Sequence, residues 1–480
     1  MTDLDLSVDT RRAGRWRALR YCGPAAMISV GYVDPGNWAT NLEGGARFGY
    51  QLMWVLVLSN LMAMLLLQSL AVRLGIAGRL DLAQACRAHY SRPVALALWG
   101  LCEIAIIACN LAELLGSAIA LNLLFGIPLV WGVLLTGLDV MLLIWLQHYG
   151  IRKLEAVVAV LLLTIGVCMV IEMILVQPDW GALAGGFVPR LDSASLLVAI
   201  GIVGATVMPH NLYLHSSLVQ TRRIDAGAAA KAEAIRFNVV DTVLALTVAF
   251  FINASILTLS ASTFFGTGQI VTELRQAHQL LAPALGTALA STVFAIGLLA
   301  AGQSSTITGT LAGQVVMEGF LHVRMSPVKR RLLTRALAIV PAMVVLLQVG
   351  DAGVLPLLVL SQVVLSLQLP FAIVPLIRFT SSRRIMGEFA SPAWLRLVAG
   401  SAALLIIGLN IWLVLQVAAP DGELAGARAI FVGTAALLCS ALLAWISFAP
   451  LQMRPGDDLV RFPAPGALNS NHNVQDLKIG

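Results

Sequence analysis

Charge is what this chain has least of. Asp, Glu, Lys and Arg make up 12% of its 480 residues, about half the share of an average soluble domain. Hydrophobic residues supply 59%, and the mean hydropathy is +0.86. A soluble chain of this length needs a far more charged surface, so lipid is the solvent that fits it. Paired cysteines are missing too. The six cysteines (Cys22, Cys86, Cys102, Cys109, Cys168, Cys439) form no CxxC motif. Five lie within or beside apolar segments and Cys86 in a basic loop, so they read as small core hydrophobes or reduced thiols rather than a disulfide framework, and with no Cys/His cluster at zinc-finger spacing a closed structural zinc site is not expected. No cleavable leader is expected: a polar start gives way to Arg11, Arg12, Arg15, Arg17 and Arg20, followed by an apolar run. The net charge of +6 and pI near 9.2 do not indicate nucleic acid. The basic residues sit in short clusters between apolar runs, where they set membrane orientation.

A membrane-spanning helix needs about 20 mainly apolar residues. Twelve segments qualify: 22–46, 50–73, 95–123, 127–147, 153–177, 195–221, 236–264, 284–318, 332–349, 354–377, 394–418 and 428–449. With the N-terminus inside, 27 of the 31 Lys and Arg residues fall on the inner side and only Arg47, Arg190, Arg275 and Arg428 outside. Positive charge is retained on the cytosolic side, so both termini are expected in the cytosol and the chain in the cytoplasmic membrane. Residues 1–21 form the cytosolic N-terminal segment. The Pro-, Gly- and Asn-rich end, 450–480, is expected to be a disordered cytosolic tail.

Two spans carry breaks at mid-length: Asp34-Pro35-Gly36-Asn37 in the first, and Gly204 to His210, with Pro209, in the sixth. Each broken span opens a block of five helices. This predicts an all-α polytopic protein of two inverted five-helix repeats, 22–177 and 195–377, with two added helices in 394–449. Interrupted helices in matching positions flank a site at the membrane midplane.

Backbone sterics nominate the donors there. Pro209 lacks an N–H, so the carbonyl four residues earlier, that of Ala205, loses its helical partner; Pro35 does the same to Gly31. Irregular backbone at this depth must line a protein-enclosed polar cavity. Asp34 contributes a carboxylate that is costly unless protonated or paired with a cation. Asn37 adds an amide oxygen and Met208 a thioether. Hard oxygens alone suit Mg²⁺ or Ca²⁺, whereas a thioether adds preference for softer transition metals. Taken singly, a proline in a membrane helix is often a kink and a methionine a core filler. The coincidence of the two breaks is what points to a site.

The strings DPGNWAT at 34–40 and GATVMPHNLYLHS at 204–216 resemble the paired signatures of the Nramp family of proton-coupled divalent metal transporters. GQSSTITGTLAGQVVMEGF at 302–320 and SQVVLSLQLPFAIVPL at 361–376 resemble that family's eighth and tenth helices, and the likeness runs from about Gly23 to Gly387. The bacterial manganese-transporter branch is the nearest in pattern. The resemblance implies a LeuT-type fold, with Asp34, Asn37, Met208 and the Ala205 carbonyl as the metal site. Gln362 matches a position that joins the metal in some states; otherwise it makes a helix–helix hydrogen bond.

The resemblance also implies proton coupling through Asp34, Glu113 and His210. Glu103, Asn110 and Glu113 lie at spacings of seven and three, on one face of the third helix. The family typically has a TDLAE-like string here, but this chain reads Cys109-Asn110-Leu111-Ala112-Glu113. Asn110 cannot titrate, which puts a relay through that position in doubt. Arg335 matches a basic residue at the inner end of the route; its alternative is membership of the basic cluster 329–335. Glu172, Asp241 and Glu318 are expected to be interfacial or paired, Asp139 is unassigned, and His215 is expected to bond within the bundle.

The expected function is proton-coupled import of Mn²⁺ or Fe²⁺, with softer ions such as Cd²⁺ also admitted. No bound cofactor, nucleic acid or obligatory protein partner is expected. One alternative is a Na⁺-coupled symporter of the same fold, though such a site offers helix N-termini to a substrate carboxylate and does not favour Asp34 at its centre. Another is an intramembrane enzyme using Asp34 and His210, for which no nucleophile or carboxylate pair is evident.

Overall fold

The first apolar run folds as two helices, Pro24–Gly31 and Pro35–Phe48, joined by three extended or turn residues. Asp34 is the cap between them: its backbone is extended, and its Oδ1 accepts from the Asn37 N–H at 2.8 Å. Pro35 occupies the first position of the second half, where a missing N–H costs nothing. The sixth span repeats the design, as Ser193–Thr206 and Pro209–Leu218, with Met208 as the extended cap and Pro209 again in first position. The computed structural model describes residues 8–10, 20–139, 149–266, 274–321, 327–418 and 426–451. The two terminal expectations, for 1–21 and 450–480, therefore lie largely outside the described residues.

Among the described residues, eight helical stretches are long and apolar enough to cross a membrane. Four of the twelve expected spans are not among them, each for a visible reason. The first is cut into halves of 8 and 14 residues. The ninth and twelfth have shorter apolar portions, Leu332–Gln348 and Val432–Phe448. The fourth is described as Leu129–Gly137, and 140–147 lie outside the described residues.

Some boundaries moved. The third span runs Arg92–Phe125 and the seventh Ala228–Phe264, both longer than their apolar runs. The expected segment 284–318 covers the end of one helix, Leu274–Leu285, and all but the last turn of another, Ala288–Leu321. The second span, Met53–Gly78, contains two wide-turned π-helical stretches, Met62–Leu67 and Leu74–Gly78. A short helix, Leu82–His89, follows, started by an Asp81/Gln84 capping box.

Pairing of the half-helices sets the site. The first half of span 1 packs on the second half of span 6, and the second half of span 1 on the first half of span 6. The third, eighth and tenth spans pack around this crossing. Gly204 marks one close approach: a Cβ there would sit 2.7 Å from Ser366 Cβ and 2.9 Å from the Gln362 carbonyl. Beyond the sixth span, Val8–Asp9 pairs as a parallel strand with Arg222–Arg223. No hydrophobic periodicity announced a contact between two-residue strands so far apart in the chain.

Candidate metal site at the two helix breaks

Asn37 is the hub. Its Nδ2 donates to Asp34 Oδ1 at 2.8 Å and to the Ala205 carbonyl at 3.1 Å, so one side chain ties the two breaks together. The Ala205 carbonyl is the group that Pro209 was expected to orphan, and the partner it finds comes from the other broken helix. Asp34, Asn37, Ala205 and Met208 are all buried. Asp34 Oδ2 and Asn37 Oδ1 have no hydrogen-bond partner. These two buried oxygens are acceptors that no protein group meets, which is what an electropositive ligand requires of a site.

Gln362 joins this group. It is fully buried, and a Cβ on Gly36 would collide with its carboxamide, with Nε2 at 1.8 Å. Only glycine permits that approach. Gln362 Nε2 donates to Ser361 Oγ at 3.0 Å, while its Oε1 is unpartnered. Among the described residues, no three of His, Cys, Asp or Glu converge as a metal cluster. The candidate donors are instead one carboxylate, amide and peptide oxygens, and sulfur.

Other carbonyls freed by the first break are capped by residues that sequence reading missed. Asn253 Nδ2 donates to the Tyr32 carbonyl at 2.6 Å, and its Oδ1 accepts from Asn41 Nδ2 at 2.8 Å. Trp38 Nε1 donates to the Val33 carbonyl at 3.2 Å. The available signal for Asn253 was an amide in the middle of an apolar span.

A second polar group lies behind the site on the third helix. Glu113 is buried, and the eighth span passes it at Gly309, where a Cβ would lie 2.8 Å from Glu113 Oε1. Arg335 Nη1 is 3.7 Å from Glu113 Oε2, and Arg335 Nη2 is 2.7 Å from Asp139 Oδ1. Thr306 Oγ1 also accepts from Arg335, at 3.1 Å. Arg335 is thus unlike an exposed member of its basic cluster: it is buried between two carboxylates. Asp139, left unassigned from sequence, is its nearer partner. Asn110 is buried one turn before Glu113. His210 is buried, its Nε2 3.7 Å from Cys109 Sγ and its Nδ1 unpartnered.

His215 bonds within the bundle as expected, its Nδ1 2.8 Å from Gln68 Oε1, and Gln68 Nε2 donates to Tyr32 Oη at 2.8 Å. Asp241 is structural: its Oδ2 accepts from the Gly23 and Ala25 N–H groups that start the first helix. Glu318 is exposed and bonded to Gln314. Glu172 departs from expectation. It is fully buried and neither carboxyl oxygen has a partner, so it is neither interfacial nor paired. Its place near the helix end suggested water access, but neighbouring spans cover it.

The sequence profile of the family described as "Natural resistance-associated macrophage protein-like" matches residues 25–416. The chain belongs to the Nramp family. Among Nramp relatives, a Nostoc protein named "Divalent metal cation transporter MntH" is 56% identical over 407 residues, covering 84% of this chain and 92% of the relative. A Xanthomonas campestris protein of the same name is also 56% identical, over 419 residues, covering 86% and 94%. The solved Eremococcus coleocola manganese transporter superposes with a TM-score of 0.85 at 38% identity, over 93% of this chain and 98% of that one. Mhp1, a nucleobase-cation-symport-1 family transporter, shares the fold with a TM-score of 0.57 at 15% identity, over 95% of this chain and 98% of that one. The fold is LeuT-type, with its two broken helices in the first and sixth spans of this Nramp chain. The relatives are named as transporters, not enzymes.

Proposed function

We propose that this protein imports a divalent transition-metal ion, Mn²⁺ or Fe²⁺, across the cytoplasmic membrane together with protons. The unpartnered Asp34 Oδ2 and Asn37 Oδ1, buried where the two helix breaks meet, support this most directly. An ion entering there takes the place of the Asn37 amide hydrogens. It then meets Asp34, Asn37 Oδ1, the Ala205 carbonyl and the Met208 thioether, with Gln362 Oε1 near enough in the fold to join. The high identity to proteins named divalent metal cation transporters agrees with this reading. A Na⁺-coupled solute symporter is disfavoured because Asp34 would repel a substrate carboxylate offered to the same helix ends.

The proton path runs, on this reading, from Asp34 past His210 to Glu113 and then to the Arg335–Asp139 pair. Asp34 and His210 lie on the broken helices, Glu113 on the third span packed against them, and Arg335 on the ninth span packed on the third, its guanidinium 3.7 Å from Glu113 and 2.7 Å from Asp139. Asn110 contributes no titratable group. Alternating access follows from rocking the first and sixth spans about the site, with 22–177 and 195–377 as the two repeats and both termini in the cytosol. The deciding experiment is uptake of radioactive Mn²⁺ into proteoliposomes with and without an inward proton gradient, recording internal pH. Gradient-stimulated uptake with internal acidification is expected; uptake indifferent to the gradient and without acidification removes the coupling.

A further inference from the structure

A polar clasp holds the start of the first broken helix. The Cys22 carbonyl accepts from Arg222 Nη2 at 2.9 Å and from Arg152 Nη1 at 2.7 Å. Arg222 is buried and also donates to Glu155 Oε1 at 2.7 Å, while Arg152 lies 3.3 Å from Glu155 Oε2. Gly23 comes next, with a φ of 126°, and a Cβ there would stand 2.3 Å from Glu155 Oε2, so only glycine lets the carboxylate this close. Asp241 Oδ2 then accepts from the Gly23 and Ala25 N–H groups, each at 3.2 Å. Arg222 also belongs to the short strand paired with Val8–Asp9, and Thr10 Oγ1 donates to the neighbouring Arg223 carbonyl at 2.6 Å.

Arg222 follows the second half of span 6 after one short turn, Val219–Thr221. It therefore ties the far end of one half-helix to the start of another, Pro24–Gly31. That half-helix is buried along nearly its whole length and has a joint at each end, Gly23 before it and the extended Asp34 after it. The groups that clasp it are ones that water satisfies nearly as well as protein does, so these contacts break and re-form at small net cost. We propose that the clasp is a latch. Arg222, with Glu155 and the Val8–Asp9 strand, holds Pro24–Gly31 against the bundle while the ion is enclosed, and releases it when the ion leaves on that side. The inference rests on the reading above, in which spans 1 and 6 rock about the metal site. Arg222 is a positioning residue here, acting through the half-helix rather than on the ion. Glu155 is what makes it hold: without that carboxylate the buried guanidinium keeps only neutral acceptors.

Cys22 carries the clasped carbonyl and is partly buried, so its thiol reports the latch. The full-length protein in detergent is treated with a maleimide, and the labelled cysteines are identified by peptide mass spectrometry. Slow labelling of Cys22 is expected in the parent, and labelling about tenfold faster or more in Arg222→Met and Glu155→Gln. Thr10→Val removes one hydrogen bond and no charge, and a smaller acceleration is expected. Cys86, buried in the short helix that docks beside Ser216, reports folding and should stay unlabelled throughout. A variant in which Cys86 also reacts has unfolded, and the comparison is then made on those that have not. In a second arm, Asp9→Cys and Arg223→Cys are combined and oxidised. The two positions are direct strand partners, about 4.8 Å apart in such a pair, a spacing a disulfide can bridge. The cross-linked protein in proteoliposomes is expected to lose Mn²⁺ uptake and to regain it on reduction. Parent-rate labelling of Cys22 in every folded variant overturns the latch. Uptake that survives the cross-link, or that reduction does not restore, overturns it too. A parent that takes up no Mn²⁺ overturns the importer reading instead, and the labelling, which needs neither metal nor gradient, still decides the latch.

Discussion

Arg335 and Asp139 meet at 2.7 Å between the ninth and fourth spans, and the same guanidinium lies 3.7 Å from Glu113. Two carboxylates share one buried cation. Removing Asp139 leaves the guanidinium only the longer 3.7 Å contact with Glu113, a loss at or below the lower end of the about 3–5 kcal/mol that breaking a buried pair outright costs. Asp139→Ala is therefore expected to lower thermal stability in detergent and to slow Mn²⁺ uptake. The exposed pair Arg275–Asp351, at 2.6 Å with both side chains about half accessible, provides the contrast. Asp351→Ala is expected to cost no more than about 1 kcal/mol. Equal losses in the two variants would remove any special place for the Arg335 group.

Asp34→Ala and Asn37→Ala are expected to abolish Mn²⁺ binding measured by calorimetry while the protein stays monodisperse. Asp34→Ala should be the more severe, since it removes the charged donor and Asn37's hydrogen-bond partner together. Undiminished binding by Asp34→Ala would remove the site.

Met208→Ala is expected to reduce Mn²⁺ and Cd²⁺ transport and to raise competition by Ca²⁺. Each tenfold change in relative affinity is about 1.4 kcal/mol. The remaining oxygens suit hard cations as well as soft ones, so sulfur decides the contrast. Competition by Ca²⁺ as weak as in the parent would mean that the thioether does not select.

Asn110→Asp is expected to tighten proton coupling. The present amide cannot carry an exchangeable excess proton, and a carboxyl one turn from Glu113 could share a proton with it. The measured quantity is the ratio of proton flux to Mn²⁺ flux, in the same liposomes and across the same gradient. An unchanged ratio would show that this position does not govern coupling, and His210 becomes the next residue to substitute.

Asn253→Ala is expected to impair transport without touching any proposed donor. It leaves the Tyr32 carbonyl, now bonded at 2.6 Å, without its partner beside the first break. Asn253→Asp keeps the position polar but supplies an acceptor in place of the donor, so it should fail as well. Wild-type Mn²⁺ affinity in both variants would assign Asn253 to packing alone.

The sequence by itself determined the solvent, most of the spans, the positions of both breaks and four candidate donors. Hydropathy, chain length and the fixed geometry of proline act locally, so Asp34, Asn37, Ala205 and Met208 could be named before any helix was packed. Spans whose ends depend on more than hydropathy were read less well: polar residues at the start of Ala228–Phe264 continue the helix beyond its apolar run. Only the tertiary structure decided which distant groups meet. It laid Gln362 on Gly36, set Asp139 rather than Glu113 closest to Arg335, capped Tyr32 with Asn253, and put the Cys109 thiol beside Met208. It also enclosed Glu172 without a partner. Such pairings depend on how helices far apart in the chain cross, and a side chain's own neighbours in sequence carry no record of which helix will face it.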